Sequence, residues 1–96
     1  MNSAGNEGDD PWFYIITPAD ADSVISVGAV RQNGMIASFS SHGPTSDGRI
    51  KPEVCALGVN TYCVRSNTEN IYRTASGTSF SAPLVAGAVA VILSAN

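Results

Sequence analysis

Gly77-Thr78-Ser79-Phe80-Ser81-Ala82-Pro83, followed by an apolar run from Leu84 to Leu93, constrains this chain more than any other segment. A glycine and a hydroxyl pair ahead of a helix-compatible run put Ser79 at a loop-to-helix junction. There the first backbone N–H groups lack intrahelical partners and the helix dipole is positive, so negative charge is favoured. A serine that must develop alkoxide character beside an oxyanion suits that setting. An ordinary serine cap suits it equally well, because Ser and Thr are common at helix starts. The pattern predicts a helix from Ser79 to about Ser94, with Pro83 tolerated in its first turn. That helix is apolar on every face, which predicts burial at the centre of a packed layer.

The residues ahead of it alternate loops with short extended pieces. Asn2 to Asp10 is rich in Gly, Asn and Asp and reads as a loop following a strand that lies upstream. Pro11 to Tyr14 reads as a turn whose aromatic rings pack locally. Val24 to Val30 is an apolar, β-branched run of strand length. Asn33-Gly34 is a strong turn signal and predicts a second strand over Met35–Phe39. Ser40 to Lys51 reads as a long loop, Val54–Ala56 as a short extended piece and Asn60–Arg65 as a further strand. A polar turn at Asn67–Asn70 precedes Ile71–Thr74. No internal repeat or low-complexity linker interrupts the chain.

Composition narrows the function classes. At 96 residues the chain holds one small domain, and 44% of it is hydrophobic while only 14% is charged. Typical domains carry about 25% charged residues, so a piece from the interior of a larger α/β domain fits better than a free-standing protein. The net charge is −3, and Arg31, Arg49, Lys51, Arg65 and Arg73 are scattered, which argues against nucleic acid. The N-terminus lacks the charged and apolar regions of a signal peptide. The run from Ala82 to Leu93 falls short of the about 20 residues a spanning helix needs, so no membrane partner is expected. Cys55 and Cys63 form no metal-ligand cluster and read as free, buried thiols.

Four ordered segments carry a resemblance. Gly77-Thr78-Ser79-Phe80-Ser81-Ala82-Pro83-Leu84-Val85-Ala86-Gly87 resembles the nucleophile motif of the subtilisin-like serine peptidases, with Leu84 where that family usually has histidine. Asn2-Ser3-Ala4-Gly5-Asn6-Glu7-Gly8 resembles its oxyanion segment. Pro18 to Val30 with Ala37-Ser38-Phe39-Ser40-Ser41-His42-Gly43-Pro44 resembles the strands and loop between. Lys51-Pro52-Glu53-Val54-Cys55-Ala56-Leu57-Gly58-Val59 is similar to a further family segment, with Leu57 replacing a proline. The resemblance covers nearly the whole chain and implies an α/β fold, part of a doubly wound, mostly parallel sheet.

It also implies roles. Ser79 matches the nucleophile and Asn6 the side-chain oxyanion donor, although a Gly-flanked Asn also reads as a simple turn residue. Ser3, Ala4 and Gly5 match one wall of the primary specificity pocket. Glu7 lies at its rim, which implies a mild preference for basic residues. Pro18 falls where the family can place a cis-proline. The stretch from Pro18 through Asp20 and Asp22, with Asp47, resembles a weak cation site, so a structural calcium is a further expectation beside solvated surface aspartates. Catalysis implies a polypeptide substrate and no cofactor.

A subtilase triad runs Asp, His, Ser along the chain. No aspartate here has the family's Asp-[Ser/Thr]-Gly setting, and the one histidine, His42, reads as a solvated loop residue. The chain therefore resembles the C-terminal part of a catalytic domain. Its remaining partner would be the upstream part of that domain, and alone it would be inactive. A non-catalytic, pseudoprotease-like binding or structural module is the alternative. An extracellular or periplasmic location is implied by the family alone.

Overall fold

The computed structural model describes residues 1–95. Three short strands, β1 (Asn2–Ser3), β2 (Ser26–Val30) and β3 (Val54–Leu57), form a parallel sheet in that order. β2 lies at the centre, pairing Asn2 with Ser26 on one side and Val27 with Val54 on the other. Its first four residues are buried, as a strand flanked on both edges and covered on both faces must be. Two further strands, β4 (Thr61–Val64) and β5 (Tyr72–Ala75), pair antiparallel, with Tyr62 and Tyr72 stacked at 5.2 Å. β5 leads through Ser76-Gly77 into the helix α1 (Thr78–Ser94), which packs against β1, β2 and β3. A small core of Ala4, Ile15 and Ala19 joins the start of the chain to the loop that follows it.

Several expectations need correction. Asn2–Ser3 is a paired strand end, so the loop begins after it. Met35–Phe39 forms no strand: Val30 and Ile36 share one isolated bridge, and the chain then turns, Ser40 N–H donating to Ala37 O at 3.0 Å. The helix begins at Thr78, which puts Pro83 in its second turn. There proline removes the bond that the Ser79 carbonyl would otherwise accept from residue 83. All-round burial is not observed either. The short strands cover one side of α1, leaving Val91 and Leu93 68% and 67% exposed. Cys55 and Cys63 are free but not buried, Cys55 being exposed on the sheet's edge strand. The Thr17–Pro18 bond is cis, as are Gly43–Pro44 and Lys51–Pro52.

The entry ends of β2 and β3 are tied by a buried lysine. Lys51 Nζ donates to Val24 O at 2.6 Å and pairs with Glu53 Oε1 at 2.5 Å. Glu53 Oε2 accepts from Ser26 N–H at 2.8 Å and from its hydroxyl at 2.9 Å. Partial burial of Glu53 opposes its charge, but Lys51 and the Ser26 donors outweigh it and hold the carboxyl at about 2 rather than 4.5. A folded value below the unfolded one means this contribution is complete above pH 4.5 and is lost as pH falls toward 2. Urea midpoints should therefore decline across that interval. Glu53→Gln should flatten the decline, and an unchanged slope would exclude the pair as its source.

Candidate active site

The site forms where the segment after β1 meets the N-terminus of α1. Gly77 precedes the helix at φ 147°, ψ 158°, a conformation that side chains rarely adopt. A Cβ there would also stand 3.5 Å from Asn6 Nδ2. Gly77 N–H is anchored on Gly58 O at 2.8 Å, fixing the turn against the loop after β3. Thr78, 1% exposed, is the hub. Its Oγ1 accepts from Gly5 N–H at 3.2 Å and donates to Asn6 Oδ1 at 2.9 Å. Thr78 N–H also donates to Asn6 Oδ1, at 2.8 Å. A backbone N–H cannot accept, so these bonds fix which end of the Asn6 amide faces the helix. The oxygen caps α1 from across the chain. The Nδ2 group is left free and donates to no described residue.

Ser79 follows directly and is solvent-exposed. Its hydroxyl has no hydrogen-bond partner among the described residues, and its N–H belongs to the first-turn donors that a helix leaves unsatisfied. No acidic side chain occupies that first turn, so nothing there neutralises the dipole's positive end. The exposed Ser79 hydroxyl thus stands at a positive helix end, one residue after Thr78, on which the Asn6 amide is anchored with its Nδ2 donor unused. Such donors can stabilise the oxyanion that forms on a carbonyl group attacked by that hydroxyl.

The other predicted residues divide. Ser3 and Ser79 come together in a cleft of about 420 Å³, lined also by Ala82, Pro83 and Ala86 of the same helix as Ser79. Ala4 is fully buried in the core with Ile15 and Ala19. Gly5 is buried too, its carbonyl accepting from Ser41 N–H at 2.9 Å. Neither presents a surface to solvent here. Glu7 is half-buried: its N–H donates to Ser41 Oγ at 2.9 Å, and Asp10, chiefly as a hydrogen-bond partner, pushes its carboxyl above the ordinary range. Ser41 and Thr78 thus position the oxyanion segment, though sequence reasoning assigned them no role. His42 is exposed, stacked on Phe13 at 5.1 Å with Nδ1 3.0 Å from Gly43 O. It makes no bond to Ser79. Asp20, Asp22 and Asp47 do gather, around Arg49.

Comparison with known proteins decides the family. The profile of the Subtilase family matches residues 1–96. The chain belongs to the subtilase family. Subtilase relatives include serine protease AprX of Bacillus subtilis, 39% identical across 98% of this chain and 25% of its own length. Subtilisin DY of Bacillus licheniformis is 45% identical across 96% of this chain and 31% of its own. Among solved subtilase structures, the prenylagaramide maturation protease PagA superposes with a TM-score of 0.77 at 29% identity, over 96% of this chain and 30% of that one. The Clostridium perfringens CspB protease gives 0.73 at 35% identity, over 81% and 17%. The chain therefore spans a third or less of each of these subtilases. Among the described residues no helix is long and apolar enough to cross a membrane.

Proposed function

We propose that this chain supplies the nucleophile and oxyanion donors of a serine endopeptidase that hydrolyses polypeptides through an acyl-enzyme. Ser79 Oγ attacks the scissile carbonyl, and the tetrahedral oxygen is received by Asn6 Nδ2 and Ser79 N–H. A histidine in the upstream part of the same catalytic domain takes the serine proton, since His42 is committed to Phe13 and Gly43. The chemistry calls for no cofactor. Among the described residues no base bonds the Ser79 hydroxyl, so the base is assigned to the longer domain.

The observation that supports this reading is the orientation of the Asn6 amide. Both bonds from Thr78 go to Oδ1, which leaves the donor end for a substrate oxygen. A structural module would use only the Oδ1 cap, whereas an oxyanion site uses the unengaged Nδ2 donor as well. Full-length protein is expected to hydrolyse a denatured protein substrate and to lose that activity on treatment with a sulfonyl fluoride. Absence of hydrolysis, or hydrolysis insensitive to the reagent, would overturn the proposal.

A further inference from the structure

The carboxylates that suggested a calcium site surround a side chain of this same protein. Arg49 closes a tight loop in which Gly48 N–H donates to Thr45 O at 3.0 Å and Arg49 N–H donates to Thr45 Oγ1 at 2.9 Å. From there its guanidinium reaches three acidic residues. Nε lies 3.0 Å from both Asp47 oxygens. Nη2 donates to Asp20 O at 2.8 Å, and Nη1 lies 3.9 Å from Asp22 Oδ1. Thr45 Oγ1 donates to Asp47 Oδ1 at 2.5 Å as well. Nη1 is buried without a hydrogen-bond partner, although the Arg49 side chain as a whole stays 35% exposed.

A calcium ion needs about six to eight oxygens at about 2.3–2.6 Å. Here two carboxylates and one carbonyl are spread around a planar cation, and both Asp47 oxygens already accept from it. A divalent ion entering this space would have to expel Arg49 or face its charge. Among the described residues no group of three or more acidic, His or Cys side chains is placed to hold a metal ion. The Arg49 fork, by contrast, suits the task of binding several oxygens at once.

We propose that the Arg49 guanidinium acts as a built-in cation, tying the loop 17–22 to the loop 44–49 so that this region needs no bound metal. The tie bears on the site beyond it. Loop 17–22 carries Ala19, which packs in the core on Ala4, and Ala4 lies two residues before Asn6. Asp47 is held below the ordinary carboxylate range, first by Thr45 and then by Arg49, and Arg49 is raised by Asp47. Both shifts match a pair formed within the chain.

Terbium(III) tests this, because it mimics calcium and emits when excited through a nearby aromatic ring. Trp12 and Tyr14 line a cleft of about 480 Å³ together with Asp20 and Thr45. In full-length protein, Asp47→Asn is expected to leave terbium emission unchanged, since no ion sits there to be lost. Emission that Asp47→Asn abolishes would overturn the proposal. Arg49→Met, measured with chelator present, is expected to lower the melting temperature by about 2–4 °C. An unchanged melting temperature would equally overturn it. Should Arg49→Met fail to fold, the terbium comparison still decides, because it leaves Arg49 in place.

Discussion

Ser79→Ala in the full-length protein is expected to lower kcat about a millionfold, the loss measured when the nucleophile of subtilisin is removed. The size follows from what the side chain alone supplies. Without Oγ no acyl-enzyme forms, and what remains over water is the contribution of the oxyanion donors and of binding, about 10³–10⁴. The fold should not notice. Ser79 is exposed, its hydroxyl bonds no described residue, and alanine favours helices. Stability should therefore stay within about 0.5 kcal/mol of the parent. A variant of unchanged melting temperature that still turns over peptide would show that another residue is the nucleophile.

The second large effect belongs to Asn6. Removing one oxyanion donor costs about 10²–10³ in kcat, a figure that comes from the matching asparagine of subtilisin. KM should move little, because the negative oxygen exists only along the reaction path. Asn6 has a second task, however, since its Oδ1 caps α1 through Thr78. Asn6→Ala removes cap and donor together and should also cost about 0.5–2 kcal/mol of stability. Asn6→Asp separates the tasks. It retains acceptor oxygens at a helix N-terminus, where negative charge is favoured, but has no N–H to offer. Its kcat should fall as far as that of Asn6→Ala while its melting temperature stays near the parent's. Equal loss of stability in both variants would mean the cap does not run through Oδ1.

Much of this was legible in the sequence, unevenly. The β-branched run ending at Val30 became the central strand because its buried residues satisfy a sheet from both faces. Gly77-Thr78-Ser79 marked the helix start, since a glycine and hydroxyls ahead of an apolar run have few other uses. Asn6 was legible only through the family, because local spacing cannot separate a donor from a turn residue. The role of Thr78 was not legible. It depends on contacts with Gly5 and Asn6 more than seventy positions away, and no local pattern records those. Met35–Phe39 misled for a related reason. Its composition suits a strand, but Ser38 and Ser40 leave the ladder, their hydroxyls bonding Asp9 and the Ala29 N–H. The apolar faces of α1 state what the helix is able to bury, not how much surface three short strands offer it. The acidic residues around Arg49 were read as solvated or metal-binding, because the sequence does not show where a guanidinium ends up.

The central claim, that Ser79 is the nucleophile and Asn6 its oxyanion donor, is tested most directly with a fluorophosphonate that reacts with activated serines. In full-length protein, tandem mass spectrometry is expected to find a single adduct, on Ser79. Asn6→Ala is expected to slow its formation about as much as it slows hydrolysis. An adduct on another serine, or equal labelling rates in parent and variant, would contradict the assignment.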